Sequence, residues 1–91
     1  GRESPMRYKM WSVYVLRSLR DGRYYVGMSE DVQKRLRTHN IGKVSSTKSR
    51  RPFELIYTQE CSNRETARDM EKYLKTSAGN LLVLQLNFKT I

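Results

Sequence analysis

The chain has 91 residues, which is enough for one domain and leaves no room for a second hydrophobic core. It contains one cysteine and one histidine, so neither an internal disulfide nor a structural zinc site with four Cys or His ligands can stabilise that core. Eighteen Lys and Arg residues against nine Asp and Glu residues give a net charge of +9, which indicates a polyanionic partner.

The positive charge is concentrated in one part of the chain. Residues 31–51 carry seven basic side chains and one acid, a net charge of +6, whereas residues 54–71 carry five acids and two arginines, a net charge of −3. A basic surface that only improves solubility is the simplest alternative, but this segregation of sign favours a binding face. We expect the basic residues that contact nucleic acid to be Lys34, Arg37, Lys43, Lys48, Arg50 and Arg51.

Neither a membrane span nor a secretory signal is visible in the sequence. No apolar run approaches the roughly 20 residues that a membrane-spanning helix needs. The N-terminus also lacks the basic-then-apolar layout of a signal peptide. We therefore expect a cytoplasmic protein with no membrane partner. Residues 1–9 resemble an expression remnant or a frayed tail, and we expect residues 10–91 to form a single domain.

The first predicted element is a β-hairpin. Residues 11–18, "WSVYVLRS", alternate in side-chain character and are rich in β-branched and aromatic residues, which is typical of a strand. An Asp-Gly turn signal follows, and "YYVGM" then resumes the β pattern. Counting back from the turn predicts that Tyr14 pairs near Tyr25, which would place both phenols on one face of the sheet beside Gly27.

A basic helix is predicted directly after the hairpin. The segment "SEDVQKRLRTHN" has Ser29 as its expected N-cap and two acids in the first turn, where they suit the helix dipole. Arg35 and His39 are four residues apart and therefore project from the same side of this helix. Asn40 and Gly42 are expected to end this helix. A basic loop of about eleven residues follows, and its composition fits either an arm that contacts phosphates or a plain connector.

A third strand and two further segments complete the predicted α+β domain. The segment "PFELIYTQE" predicts a strand that Pro52 opens at its first position. The last segment, residues 77–91, fits either a helix or a buried strand, and we favour a helix that begins at Asn80. No internal repeat or low-complexity segment is present.

The second predicted helix carries an acid on its apolar face. "SNRE" forms a capping box between Ser62 and Glu65, and the helix is expected to run from about residue 63 to residue 75. Its apolar stripe contains Ala67, Met70 and Leu74, and the remaining position of that stripe is Glu71. Because a buried unpaired carboxylate costs several kcal/mol, Glu71 should lie at the rim of the core, be paired, or hold a cation.

Two tripeptides link these features to a known family. "SVY" and "YVG" place two tyrosines eleven residues apart, and an arginine, a histidine and a helical glutamate follow in order. Each tripeptide alone is weak evidence for a family, but the ordered set of residues is a specific signature. From Trp11 to about Thr76 the chain resembles the GIY-YIG nuclease superfamily, in its small stand-alone bacterial branch, and is similar to the N-terminal catalytic domain of the excision-repair nuclease.

The resemblance implies a fold, an activity and a set of site residues. The fold would be a small three-stranded antiparallel sheet flanked by helices, which agrees with the pattern of predicted elements. The activity would be divalent-metal-dependent hydrolysis of DNA, with one Mg²⁺ or Mn²⁺ ion per site. Matched position by position, the residues of the family's site are Tyr14, Tyr25, Gly27, Arg35, His39 and Glu71.

The resemblance also implies a role for each of these residues. Glu71 would bind the metal ion together with waters and a phosphate oxygen, and Arg35 would bind the scissile phosphate. One of the two tyrosines would help to activate the attacking water once nearby cations lower its pKa from ~10, and the sequence does not rank them. His39 would accept a proton or hold a phenol in place, and Gly27 would let a phosphate approach the backbone.

The chain departs from the family pattern at three places. Ser12 replaces the glycine of the first motif, where neither residue contributes chemistry. Met28 stands where the excision-repair relatives carry a lysine, so one cation of their site is missing. The segment after residue 76 is apolar, whereas the stand-alone branch usually continues with a glycine- and arginine-rich helix.

Three functions are compatible with these observations. The leading hypothesis is an endonuclease that acts on double-stranded or branched DNA. Its main rival is a catalytically inactive module that binds DNA or RNA with the same fold and basic face, and a third is an RNA-binding protein that stacks bases on exposed tyrosines. Because so small a domain has little surface for base-specific readout, a protein partner or a homodimer could supply specificity.

Overall fold

The computed structural model describes residues 10–89, with side chains up to residue 85. Residues 1–9, interpreted above as a tail, lie outside the described residues, as do residues 90–91. In chain order the structure contains β1 (Trp11–Ser18), β2 (Tyr24–Ser29), α1 (Val32–Asn40), a short 3-10 helix (Lys48–Arg50), β3 (Phe53–Cys61), α2 (Arg64–Leu74) and α3 (Ser77–Lys89).

The three strands form one antiparallel sheet in the order β2-β1-β3, so β1 lies in the middle. Helices pack against both faces of this sheet. β1 suits the central position because its four consecutive residues from Val13 to Leu16 are all buried, whichever face they point to. The predicted α+β class, with a three-stranded sheet flanked by helices, is confirmed.

The two faces of the sheet carry separate cores. On one face the core is formed with α2 and α3 by Val13, Val15, Val26, Ala67, Leu74 and Val83. On the other face the core is formed with α1 by Tyr14, Leu16, Tyr25, Val32, Leu36 and Phe53. Because side chains alternate along a strand, neighbouring residues of β1 supply both cores. Tyr14 and Tyr25 therefore share the face that α1 covers, as the sequence predicted.

The pairing of the hairpin differs from the predicted register. Tyr14 lies opposite Gly27, not opposite Tyr25, which lies one pair further along the same face. The connection spans residues 19–23, and the Ser18 N–H donates to the Arg23 carbonyl at 2.8 Å, which brings Gly27 opposite Tyr14. A two-residue turn at Asp-Gly would instead have placed Ser29 opposite Tyr14, so the count that gave Tyr25 was itself wrong. Ser18 closes this longer loop, since its hydroxyl accepts the backbone N–H groups of the second and third residues after it, both at 3.1 Å.

α1 begins later than predicted. Its N-cap is Asp31, whose carboxylate accepts the backbone N–H of Lys34 at 3.1 Å. Ser29, the predicted cap, belongs to β2, and its hydroxyl accepts the backbone N–H of Asp31 at 3.0 Å. The prediction of Ser29 was wrong because two good capping residues stand close together, and the strand continues through the first of them. The two acids consequently precede the helix, and its first turn contains none.

The other two helices also begin at positions that differ from the predicted ones. α2 is capped by Asn63, whose side chain accepts a backbone N–H three residues on at 2.8 Å, so the predicted cap at Ser62 was wrong. The final segment is a helix, as favoured, but it begins before Asn80. Thr76 precedes it, and its hydroxyl accepts the backbone N–H of Gly79 at 3.1 Å.

α3 packs against α2 and leaves part of its apolar surface open. Val83 is buried in the core, whereas Leu81, Leu82 and Leu84 are exposed. Among residues 10–89, none of the helices combines the length and the apolar character that crossing a membrane requires. The two helices are close together at Gly79, where an added Cβ would overlap the carbonyl oxygen of Tyr73 and lie 2.5 Å from the Cα of Leu74.

Gly79→Ala should therefore destabilise the protein, although Ala is the better helix former by about 1 kcal/mol in an open helix. The clash is with backbone, so α3 must shift away from α2, at a cost of roughly 1–3 kcal/mol. Thermal unfolding followed by circular dichroism measures this change. Gln85→Ala, at an exposed position of the same helix, is the control and should leave the melting temperature nearly unchanged. A Gly79→Ala protein more stable than the wild type would contradict the close packing of α2 on α3.

Candidate active site

Tyr14 lies at the centre of the site. It comes from the middle strand, its side chain is buried, and it faces α1. The phenol lies over Gly27 on the neighbouring strand, because an added Cβ there would be 2.5 Å from the Tyr14 hydroxyl oxygen. This corrects the expectation that Gly27 leaves room for a phosphate to approach the backbone. The glycine instead leaves room for the phenol.

His39 joins α1 to this phenol. The imidazole is fully buried at the last turn of α1, with 0% of its surface exposed. Its Nε2 lies 3.1 Å from the Tyr14 hydroxyl oxygen, and its Nδ1 lies 2.9 Å from the Thr47 Oγ1. Thr47 is itself buried and belongs to the basic loop that follows the helix. The three side chains therefore form a continuous hydrogen-bonded chain from β1 through α1 to the loop.

One arrangement of protons satisfies every member of this chain. The Thr47 hydroxyl has a carbonyl acceptor in Val44 at 3.4 Å, so it can accept from His39 Nδ1–H and donate onward. His39 Nε2 then has a free lone pair and accepts the Tyr14 hydroxyl proton. The Arg35 guanidinium lies near the Tyr14 oxygen and lowers the pKa of the phenol in part. We assign the Nδ1–H tautomer to His39 on this basis.

The surroundings keep both ionisable rings neutral at pH 7. Burial, assisted by the nearby charge of Arg35, lowers the pKa of His39 to about 4. Burial raises the pKa of the Tyr14 phenol above its usual value, and the nearby Arg35 guanidinium opposes that rise in part. A neutral imidazole beside a protonated phenol is the state that the hydrogen-bonded chain requires.

Tyr25 and Arg35 form the more accessible part of the site. The Tyr25 ring lies 6.4 Å from the Tyr14 ring and 4.8 Å from the His39 ring, measured between centroids. Tyr25 and Arg35 are half-buried, whereas Tyr14 and His39 are enclosed. The predicted pair of tyrosines, the arginine and the histidine are thus brought together on the α1 face of the sheet. A ligand would meet Tyr25 and Arg35 before it meets the other two.

Glu71 comes from α2, which packs on the opposite face of the sheet from α1, and among the described contacts only its charge links it to Tyr14. Its charge contributes to the raised pKa of Tyr14, although it is the smallest of the causes. The Glu71 side chain is only 15% exposed, and its Oε2 lies 3.4 Å from the ammonium of Lys75, which is 57% exposed. The sequence required Glu71 to lie at the rim, to be paired or to hold a cation. The structure places it as a partly buried carboxylate with one lysine partner.

A single carboxylate limits the kind of metal ion that the site can hold. In the described part of the chain there is no cluster of three or more His, Cys, Asp or Glu side chains that could enclose a metal. Zinc prefers such a cluster, whereas Mg²⁺ keeps much of its hydration and is often bound through one or two carboxylates plus a substrate phosphate. Glu71 fits the second kind of site.

The predicted basic contacts fall into two groups. Lys34, Arg37, Lys43, Lys48 and Arg51 are exposed. Arg50 is different, because its Nε lies 3.2 Å from the Asp21 carboxylate and its guanidinium lies 5.5 Å from the Phe53 ring centroid. These contacts tie the basic loop to the hairpin, so Arg50 has a structural role that its charge alone did not indicate.

Thr47 is the site residue that the sequence did not predict. A threonine in a Ser- and Thr-rich loop carries no periodic signal, and its partner His39 is eight residues away. The feature of the sequence that could have pointed to Thr47 was the histidine itself. A lone imidazole near the end of a helix that packs on a sheet needs a partner at each ring nitrogen, and the loop after that helix is the nearest source of one.

Comparison with known proteins identifies the family to which this chain belongs. The model of the GIY-YIG catalytic domain matches residues 10–80. A UPF0213 protein of Streptococcus pneumoniae serotype 4 is 44% identical over 64 residues, which are 69% of this chain and 64% of that protein. The UPF0213 protein YazA of Bacillus subtilis strain 168 is 41% identical over 63 residues, which are 68% of this chain and 63% of that protein.

A solved structure agrees with these matches. The solution NMR structure of the UPF0213 protein BH0048 from Bacillus halodurans has a TM-score of 0.52 and 30% sequence identity, and the alignment covers 85% of this chain and 84% of that chain. The chain belongs to the GIY-YIG family, a family of nucleases, and within it to the small stand-alone bacterial UPF0213 proteins. It spans about 64% of the length of the curated relatives it matches first.

The neutral state of His39 makes a direct prediction. Because it is the only histidine in the chain, its ring protons are assigned without ambiguity in an NMR titration. The chemical shifts of these ring protons should stay constant from pH 8 to about pH 5.5 and change only around pH 4. The unfolded chain binds this proton near pH 6.5, whereas the folded chain binds it only around pH 4. The free energy of unfolding should therefore have its full value above pH 6.5 and fall as the pH drops from 6.5 towards 4.

The control for this titration is His39→Gln, which should lose the part of the stability change that lies between pH 6.5 and pH 4. Chemical denaturation at a series of pH values measures it. A His39 that titrates near pH 6.5 in the folded protein would show that the imidazole is hydrated, and the buried chain with Tyr14 and Thr47 would then be wrong.

Proposed function

We propose that this chain is a divalent-metal-dependent endonuclease that hydrolyses phosphodiester bonds in DNA. The single observation that supports the proposal best is the convergence of Tyr14, Tyr25, Arg35 and His39 on one face of the sheet, with the charge of Glu71 acting on Tyr14. Phosphodiester cleavage needs a cation on the phosphate, a group that takes a proton from water, and a hard metal ion held by carboxylate.

Arg35 is the residue placed to bind the scissile phosphate. It is half-buried near the Tyr14 phenol, and its guanidinium offers several N–H donors in one plane. A phosphate that accepts from these donors would lie next to both tyrosines. The exposed basic side chains of residues 34–51 would then contact the neighbouring phosphates of the same strand.

The two tyrosines take different roles in this proposal. The Tyr14 hydroxyl is buried, protonated and directed at His39, so its role is to position the arginine and the phosphate. Tyr25 is half-buried and has no side-chain hydrogen bond among the described contacts that would occupy its hydroxyl in this way. Tyr25 is therefore the tyrosine that we assign to the attacking water, and His39 holds Tyr14 in place beside it.

Glu71 is the residue that would hold the metal ion. A bound Mg²⁺ or Mn²⁺ would polarise the phosphate and lower the pKa of nearby water and phenol groups. Lys75 is the nearest competitor for the carboxylate, and its exposed ammonium can leave Glu71 for solvent at little cost, because exposed ion pairs are weak.

The Glu71–Lys75 ion pair also favours the second candidate function. A module that only binds nucleic acid would keep the basic face and the buried histidine, and its one inward carboxylate would remain paired with lysine permanently. Such a protein would bind DNA without cutting it. The two functions therefore differ in whether Glu71 matters for anything other than stability.

A plasmid-nicking assay separates them. Wild-type protein incubated with supercoiled plasmid and Mg²⁺ or Mn²⁺ should convert it to the relaxed form, and Glu71→Gln should lower the rate by roughly 100-fold or more while DNA binding is retained. Glu65→Gln, an exposed acid on the same helix, is the matched control and should cut like the wild type. Binding without any nicking, in wild type and with every divalent ion tried, would support the binding module and exclude the nuclease.

A further inference from the structure

A cleft of about 430 Å³ opens next to Arg35, between the start of β1, the end of β2 and the outer side of α1. Trp11 and Met28 supply its apolar part. Asp31, Lys34, Arg35 and Thr38, one after another along one side of the first helix and its cap, supply its polar part. The volume lies within the range of small-ligand sites in proteins. Apart from Arg35 and Lys34, no residue that lines this cleft has a role in the proposal above.

Arg35 connects the cleft to the proposed phosphate site. The same guanidinium that acts on the pKa of the Tyr14 phenol also lines the cleft. A phosphate held by Arg35 carries a nucleoside on each side, and one of these would lie at the mouth of the cleft. Two acids, Glu30 and Asp31, also line the cleft beside Lys34. The acids disfavour a second phosphate inside the cleft, and a carboxylate can accept a hydrogen bond from the N–H group of a base.

Trp11 and Met28 give the cleft a surface suited to the face of a base. Trp11 is half-buried at the first position of β1, and the Arg64 guanidinium lies over its ring, 5.4 Å from the centroid, so a base would contact the part of the indole that Arg64 leaves uncovered. Met28 lies opposite Val13 in the sheet and, like Trp11, lines the cleft, to which it brings a polarisable thioether. Trp11 also packs against the core, and this packing accounts for only part of its surface, since the residue is not fully buried.

We propose that this cleft binds one unpaired nucleobase of the DNA strand, next to the phosphate held at Arg35. A base inside a duplex has both of its faces covered by neighbouring base pairs, so only a base outside the stack can present a face to Trp11. The proposal rests on the proposed function, because it takes Arg35 as the phosphate contact. It gives that function a substrate class, namely DNA with a single-stranded or extruded nucleotide at the site of cleavage.

Trp11 reports on the cleft directly because it is the only tryptophan in the chain. Wild-type protein in EDTA, where no metal supports cleavage, is titrated with a short single-stranded oligonucleotide while tryptophan fluorescence is recorded. The matched ligand is an oligonucleotide of the same length and charge that is abasic throughout. The base-containing strand should quench Trp11 and bind roughly 5- to 150-fold more tightly than the abasic strand at the same salt concentration.

Equal affinity of the two strands, or equal quenching by the abasic strand, would overturn the proposal, because the backbone charge alone would then account for binding. A single abasic position moved along an otherwise normal strand locates the bound base, and one position should lose most of the quenching. The comparison uses only wild-type protein, so it does not depend on whether a Trp11 variant folds.

The failure of this proposal and the failure of the nuclease proposal are distinguishable. A protein that nicks plasmid DNA but binds both strands equally is a nuclease without a base site in this cleft. A protein that discriminates between the strands and never nicks has the base site without turnover. Trp11→Phe should keep most of the preference and Trp11→Ala should lose it, with circular dichroism showing that each variant is folded.

Discussion

The buried hydrogen-bonded chain of Tyr14, His39 and Thr47 is the interaction on which the rest of the site depends. It connects the central strand to α1 and α1 to the basic loop, and no part of it is exposed to solvent. Buried polar groups that are fully paired fix a structure in one arrangement, whereas an unpaired member costs as much as a poorly packed core residue. The position of Arg35 and the course of the loop both follow from this chain.

The same chain explains why the only imidazole of a strongly basic protein carries no charge. A protonated His39 would donate from both nitrogens, so the Tyr14 hydroxyl proton would lose the acceptor that Nε2 provides. Burial and the charge of Arg35 act in the same direction. His39 therefore acts as a fixed acceptor for a phenol, and the positive charge of the site stays on Arg35.

Sequence reasoning predicted the fold correctly, and it proposed the site residues, because both depend on signals that are local or ordered along the chain. Strand alternation, helix periodicity and the order of Tyr14, Tyr25, Arg35, His39 and Glu71 can be read without knowing any distance. The family membership is confirmed by comparison, while the roles of these residues remain proposals. The two faces of the sheet were also correct, because they follow from alternation alone.

The errors concern features that are decided by contacts distant in sequence or by closely competing alternatives. The hairpin register depends on Ser18 closing a longer loop, and the helix caps depend on which of two neighbouring polar residues keeps its strand geometry. Gly27 was assigned to a ligand because a missing side chain looks like an opening, and the structure fills that opening with Tyr14. Thr47 was missed because only the fold brings it to the histidine.

The rate of plasmid nicking by Thr47→Val, compared with wild type at equal occupancy of DNA, tests the central claim most directly. Valine keeps the shape of threonine and removes only the hydroxyl that accepts from His39, so Arg35, Glu71 and the exposed basic residues are untouched. The account predicts a rate lower by roughly 10- to 100-fold with unchanged DNA binding, and recovery in Thr47→Ser. A folded Thr47→Val protein that nicks as fast as the wild type would contradict the dependence of the site on the buried chain.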